Sequence, residues 1–137
     1  EQTRDDMVGR IENYPDTFLV VQEDGKVIGH IFGPAFNKRY IEDELYFNNH
    51  PNQKDDRYQM ILSLAVLPAY RKQGIATKLI EALVQVAKKQ KRRAISLTCL
   101  PKLIKFYKKR GFHNEGKTSD DIPDPTGVTS VNMVRTL

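Results

Sequence analysis

The chain has no tryptophan, a single cysteine and no apolar run long enough to cross a bilayer, and each lack removes a class of protein. One thiol, Cys99, cannot form an internal disulfide and gives no metal-ligand set, so neither a stapled secreted scaffold nor a zinc module fits and no metal is expected. A membrane-spanning helix needs about 20 consecutive apolar residues. Their absence, with the lack of a secretory leader, points to a cytoplasmic protein with no membrane partner. Nucleic acid is a poor partner as well, because zinc-ligand spacing and an RNP-like aromatic strand are both missing. There is no internal repeat and no low-complexity tract.

What is present suits one domain over residues 1–137, a length that buries its own core without staples. The 22 Lys and Arg residues outnumber 17 Asp and Glu, giving a net charge of +5. Most of the surplus lies in Lys88 to Arg93 and Lys102 to Arg110, which favours anionic ligands near those segments.

Met7, Val8 and Ile11 are spaced like one face of a helix ending near Asn13, stopped by Tyr14-Pro15-Asp16. Thr17 to Gln22 reads as a strand, Glu23 to Lys26 as a turn, and Val27 to Phe36 as the second strand of a hairpin. Gly29 and Gly33 mark a bulge, a close backbone approach, or simply the strand's end at Gly33-Pro34; the last reading is favoured. Asn37 to Arg57 is polar and reads as a solvated loop with a short helix around Tyr40 to Phe47. The alternative is an acidic wall, Glu42 to Asp56, that attracts a cationic substrate.

Tyr58 to Val66 is a near-continuously apolar third strand, covered on both faces. After a Pro-bearing turn, Arg71-Lys72-Gln73-Gly74-Ile75-Ala76 opens into a helix. Ile75, Leu79, Ile80, Leu83, Val84 and Ala87 form its apolar stripe, ending near Lys89. Ala94 to Leu100 is a fourth strand, joined to the third by a right-handed crossover and therefore parallel to it. Pro101 starts a short basic helix that stops at Arg110-Gly111. Phe112 begins another strand, Asn114 to Thr126 is a polar loop, and Val128 to Arg135 is the last strand.

The chemistry concentrates between Leu62 and Leu83, where strand, loop and helix start meet. Amides at a helix start lack intrahelical acceptors and the helix dipole adds positive potential, so an anion is stabilised there. Gly74 lets the backbone come close, Ala76 keeps the approach clear, Arg71 and Lys72 add charge, and Thr77 offers a hydroxyl. A pyrophosphate fits. The spacing matches neither G-x-x-x-x-G-K-[ST] nor G-x-G-x-x-G.

R-x-x-G-x-A at this junction, preceded by L-A-V-x-P-x-Y-R, resembles the acetyl-CoA-binding motif of the GNAT superfamily of N-acetyltransferases. Lys105 to Phe112, with Tyr107 and Gly111-Phe112, is similar to the family's second signature, Y-x-x-x-G-F. L-A-V-x-P-x-Y-R, with Thr98-Cys99 and F-Y-x-x-x-G-F-H, most resembles the serotonin (arylalkylamine) N-acetyltransferase branch. That branch carries a histidine pair on the strand before the cofactor loop, where this chain has Met60 and Leu62. The family also places a strand and a helix before the helix ending near Asn13.

The resemblance implies an α/β (α+β) fold: a mixed, mainly antiparallel twisted sheet with helices on both faces, broken by a parallel pair where the cofactor enters. It implies acetyl-CoA as cofactor and direct attack of a primary amine on the thioester, with no acyl-enzyme. Cofactor contacts map to Leu64, Ala65, Val66, Arg71, Lys72, Gln73, Gly74, Ile75, Ala76, Thr77 and Tyr107. Tyr107 becomes the acid or hydrogen-bond donor to the CoA sulfur; from its residue pattern alone it is a core aromatic. The base is open among Tyr58, Ser63, His30, Glu44, His50, His113 and a water chain, with Ser63 and Tyr58 standing beside Tyr107 as the catalytic candidates. Cys99 reads as a buried structural thiol rather than a nucleophile. The acceptor expected is a cationic small molecule of arylalkylamine or polyamine type, acted on by a monomer or homodimer. A protein amine acetyltransferase and a non-catalytic CoA-binding module are the alternatives.

Overall fold

The computed structural model describes residues 15–42, 45, 52–118 and 129–137. Strands β1 (Phe18–Glu23) and β2 (Lys26–Phe32) form the expected antiparallel hairpin. Asp24 and Gly25 both sit at positive φ, 52° and 79°, the geometry of the two-residue turns that match strand twist.

The second strand does not continue to Phe36. It ends before Gly33-Pro34, and Ala35–Phe36 (β3) belongs to a different sheet. Both nearby glycines are close approaches, which the plain strand-end reading missed. A methyl group on Gly33 would run into the Met60 carbonyl oxygen, and one on Gly29 would lie 3.2–3.3 Å from the Ala65 carbonyl oxygen, Ile75 and Leu79.

The third strand is likewise two strands. Tyr58–Met60 (β4) pairs in parallel with Ala94–Cys99 (β6), whereas Ser63–Val66 (β5) pairs antiparallel with β2. The exchange happens between neighbours: the Ile61 amide donates to the Ser96 carbonyl at 3.0 Å and the Leu62 amide to the Phe32 carbonyl at 2.9 Å. Carbonyls freed at the switch are taken by one buried side chain. Gln59 donates through Nε2 to the carbonyls of Gly33 at 2.9 Å and Met60 at 2.8 Å, since buried acceptors require partners. The crossover is therefore parallel only through β4, and β5 diverges from β6.

Helix α1 (Ile75–Lys89) covers this junction, with the six stripe residues read from the sequence all buried. They meet Ile31 of one sheet and Ile95, Leu97, Val131 and Met133 of the other in one core. A 3-10 turn at Pro101–Leu103 leads into α2 (Ile104–Lys108), which is stopped by Gly111 at φ 88°. Strand β7 (His113–Lys117) extends beyond the loop start expected at Asn114 and pairs with β8 (Val131–Thr136). The sheets read β1-β2-β5 and β3-β4-β6-β8-β7. Both described helices share one core with the sheets. The helix expected before Asn13, half of that around Tyr40 to Phe47 and most of the loop before Thr126 lie outside the described residues.

Candidate active site

Where β5 leaves β6, an open cleft of about 590 Å³ forms. Leu64, Ala65 and Val66 make one wall, the loop and first turn of α1 the floor, and Leu103, Phe106, Tyr107 and Arg110 the other wall. The Leu67 amide donates to the Ile28 carbonyl at 2.8 Å. Alternation along that antiparallel ladder turns the Leu64 and Val66 amides toward the unpaired edge, which is the cleft.

Gly74 caps α1 in the left-handed region, φ 78° and ψ 10°, and the first intrahelical bond runs from the Lys78 amide to the Gly74 carbonyl at 3.0 Å. Among the described residues, none of the six amides from Lys72 to Thr77 donates to an acceptor. Lys72 is itself at φ 64°, so the loop turns sharply just before the helix. Such a concave run of amides at a helix start holds a multiply charged anion. A methyl on Gly74 would meet nothing within 4 Å; the glycine is required by its φ.

Side chains around the loop are partly committed to the protein. Arg71 Nε donates to the Val66 carbonyl at 3.3 Å. Thr77, read as a phosphate ligand, accepts from Arg110 Nε at 2.9 Å. Arg110 also donates to the Phe106 carbonyl at 2.7 Å and stacks its guanidinium 3.7 Å from the Phe106 ring centre. It thus braces α2 against the first turn of α1. From the sequence Arg110 is a helix stop and part of the basic Lys102 to Arg110 segment that favours anions, and its bracing role is added by the structure. Lys72 is exposed at the rim, and Gln73 is exposed outside the cleft lining.

Tyr107 is 8% exposed and packs edge-on to Phe106 and Phe112. Burial, and then the neighbouring Cys99, push its hydroxyl up to about 12, against a smaller opposing pull from Arg110. Tyr107 is a core aromatic that also lines the cleft. Cys99 is buried, and burial raises its thiol.

The other candidates divide. Ser63 and Tyr58 do not line the cleft. Tyr58 joins Phe36, Leu45 and Met60 in a small apolar cluster. Ser63 Oγ lies 3.0 Å from His30 Nε2. His113 is exposed on β7, and Glu44 and His50 lie outside the described residues. The expected acidic wall is partly neutralised, because Lys38 holds Glu42 at 3.1 Å and Asp56 is buried.

A model of the GNAT acetyltransferase family matches residues 1–112. The chain belongs to the GNAT acetyltransferase family. An uncharacterized N-acetyltransferase of Schizosaccharomyces pombe is 42% identical over 66 residues, 45% of this chain and 46% of that protein. The chain thus spans less than half the length of that curated relative. Among solved folds, Ard1 from Thermoplasma volcanium superposes with a TM-score of 0.74 at 21% identity, covering 99% of this chain and 80% of its own. A GNAT-like decarboxylase, GphF, in complex with isobutyryl-CoA, gives 0.79 at 15% identity over 99% and 86%. At those identities the likeness is one of GNAT fold. Among the described residues no helix is long and apolar enough to cross a membrane.

Proposed function

We propose that this GNAT domain transfers acetyl from acetyl-CoA to a primary amine, and that the acceptor is a cationic small molecule. The observation carrying this reading is the run of six unpaired amides, Lys72 to Thr77, opening on the same cleft as Tyr107. The fit to a CoA pyrophosphate is good: the amides supply donors without side chains, and Arg71, Lys72 and Arg110 supply positive charge at the rim. Acetyl-CoA, when bound, supplies the activated acetyl group.

This chain's residues do the rest. Loop 71–77 binds the diphosphate. The Leu64 and Val66 amides face the cleft as donors for developing negative charge on oxygen. Tyr107, protonated at every working pH, offers its hydroxyl proton to a departing thiolate. Apolar Leu103 and Phe106 exclude water from that wall. The cationic acceptor is supported by the exposed Asp55 before β4 and by the arylalkylamine-like L-A-V-x-P-x-Y-R of Leu64 to Arg71.

Incubation with acetyl-CoA and a panel of amines, following free thiol, tests the reading. Thiol release dependent on an amine is expected. Tight CoA binding with no turnover on any amine would instead favour a binding module. Gly74→Gln should weaken CoA binding at least tenfold, and unchanged binding would remove the loop from the site.

A further inference from the structure

We infer that Ser63 and His30 form a proton relay that takes the acceptor amine's proton on the side of β5 away from α1. The inference rests on the acetyltransferase reading above and adds the base which that reading leaves open. His30 is the Cα partner of Ala65, a cleft-wall residue, and Ser63 lies two positions along the same strand. In an antiparallel pair, partners point to the same face. The Ile31, Leu64 and Val66 side chains pack with the α1 core. The alternating residues His30, Ser63 and Ala65 therefore face the other way, where His30 Nε2 and Ser63 Oγ are 3.0 Å apart.

The environment suits a base. His30 is half-buried between Phe18 and Phe32, with ring centres 6.2 Å and 5.7 Å away. Burial alone lowers its affinity for a proton. Around it β1 presents Phe18 and Val20, β2 presents Phe32, and β5 presents Ser63 and Ala65; no charged group among these acts on the ring. His30 is therefore neutral at pH 7, and a hydroxyl beside a neutral imidazole is the arrangement that moves protons.

Magnitudes fix the stage at which the relay works. An ammonium with a pKa of about 10 does not give its proton to an imidazole below about 6.5. That first proton goes to water. As the amine nitrogen bonds to the acetyl carbonyl carbon, positive charge on nitrogen makes its next proton strongly acidic. That proton passes through a bridging water to Ser63 Oγ, which lies outside the cleft lining, while the Ser63 hydroxyl proton passes to His30 Nε2. The carbon–sulfur pair leaves with sulfur, which accepts a hydrogen bond from the Tyr107 hydroxyl and takes its proton from water, and His30 releases its proton to water.

Ring NMR titration of the full chain, free of ligand, gives the first test. His30 should titrate below 6.5, and Ser63→Ala should shift that midpoint by more than a few tenths of a unit. With acetyl-CoA and an amine that the panel shows to be turned over, His30→Gln should lower kcat by about 10² to 10³-fold and abolish the acid limb below pH 6.5. The Kd for acetyl-CoA should stay within twofold. Ser63→Ala should lower kcat about tenfold and Ser63→Thr should restore part of it. A retained acid limb in His30→Gln, with normal turnover, would overturn the relay and leave the acetyltransferase reading standing. Acetyl found on Ser63 by mass spectrometry would overturn it in favour of a covalent route. No turnover by the wild type on any amine overturns both.

Discussion

Gly33 and Gly74 are glycines for different backbone reasons, and a single methyl group separates them. At Gly33 the methyl has to occupy the space of the Met60 carbonyl oxygen, at the point where the chain changes sheets. At Gly74 it finds open space and meets only the cost of a left-handed φ of 78°. Gly74→Ala should therefore cost about 1–2 kcal/mol, whereas Gly33→Ala should cost about 3 kcal/mol or more because backbone must move. Urea unfolding of the two variants checks the order, and equal midpoints would deny the close approach. Tyr107 makes a second prediction, in the alkaline range. Its folded value of about 12 lies above the ordinary 10, so the folded state holds the proton longer than the unfolded chain. The stabilisation from this group is whole below pH 10 and is lost as pH rises through 12, an effect of about 2–3 kcal/mol. The wild type should lose stability more steeply than Tyr107→Phe between those limits in chemical denaturation; parallel curves would mean the hydroxyl is not desolvated.

Segment 37–42 leaves β3 and is held to β7 by one polar clamp. Arg39 grips Glu115 through Nε at 2.8 Å and a second nitrogen at 2.6 Å, and the Tyr40 hydroxyl donates to the same carboxylate at 2.8 Å. The Arg39 bond first, then Tyr40, hold the Glu115 carboxyl below its ordinary value against a modest cost of burial. Because the folded value is depressed, the clamp is complete above the usual carboxylate range and is lost as pH falls through the folded value. Its Arg39 side chain is 41% exposed, so Glu115→Gln should cost only about 1 kcal/mol globally. Hydrogen exchange should nevertheless accelerate in residues 37–42 while β6 and α1 stay protected; unchanged exchange there would show the clamp to be ornamental. No sequence pattern announces a pair 76 positions apart. The Arg110 brace on Thr77 joins residues 33 positions apart, with only the Y-K-K-R-G-F motif around Arg110 as a local mark. Helix α1 was legible because its stripe repeats at the helical period, and the hairpin because Asp24-Gly25 demands its turn. The split of β4 from β5 was not, since Ile61-Leu62 interrupts nothing in an apolar run. Its cause lies in Gln59 and Gly33, which act through tertiary contacts. Gly33-Pro34 carried the one local hint.

At the scale of the whole molecule, two sheets part at Ile61-Leu62 and are rejoined by α1, whose buried stripe meets both. The cleft walls belong to different parts of that structure: β5 to the first sheet, α2 to the connection between β6 and β7, and the floor to α1 itself. A ligand seated there would touch every side of the splay, so its binding energy should appear as resistance to global unfolding rather than as local ordering. At a hundred times its Kd, a ligand selective for the folded state adds about 2.7 kcal/mol. For a chain of 137 residues that corresponds to a rise in Tm of roughly 8–12 °C. If the amide loop holds the diphosphate they share, as proposed, CoA and acetyl-CoA should give similar shifts and Gly74→Gln should abolish most of both. Arg110→Ala should lower Tm without ligand, through its lost bonds to Thr77 and the Phe106 carbonyl, and should also shrink the ligand-induced rise. A normal rise on that weakened background would make Arg110 a brace alone, and no rise in the wild type at millimolar CoA would remove the cofactor from this cleft.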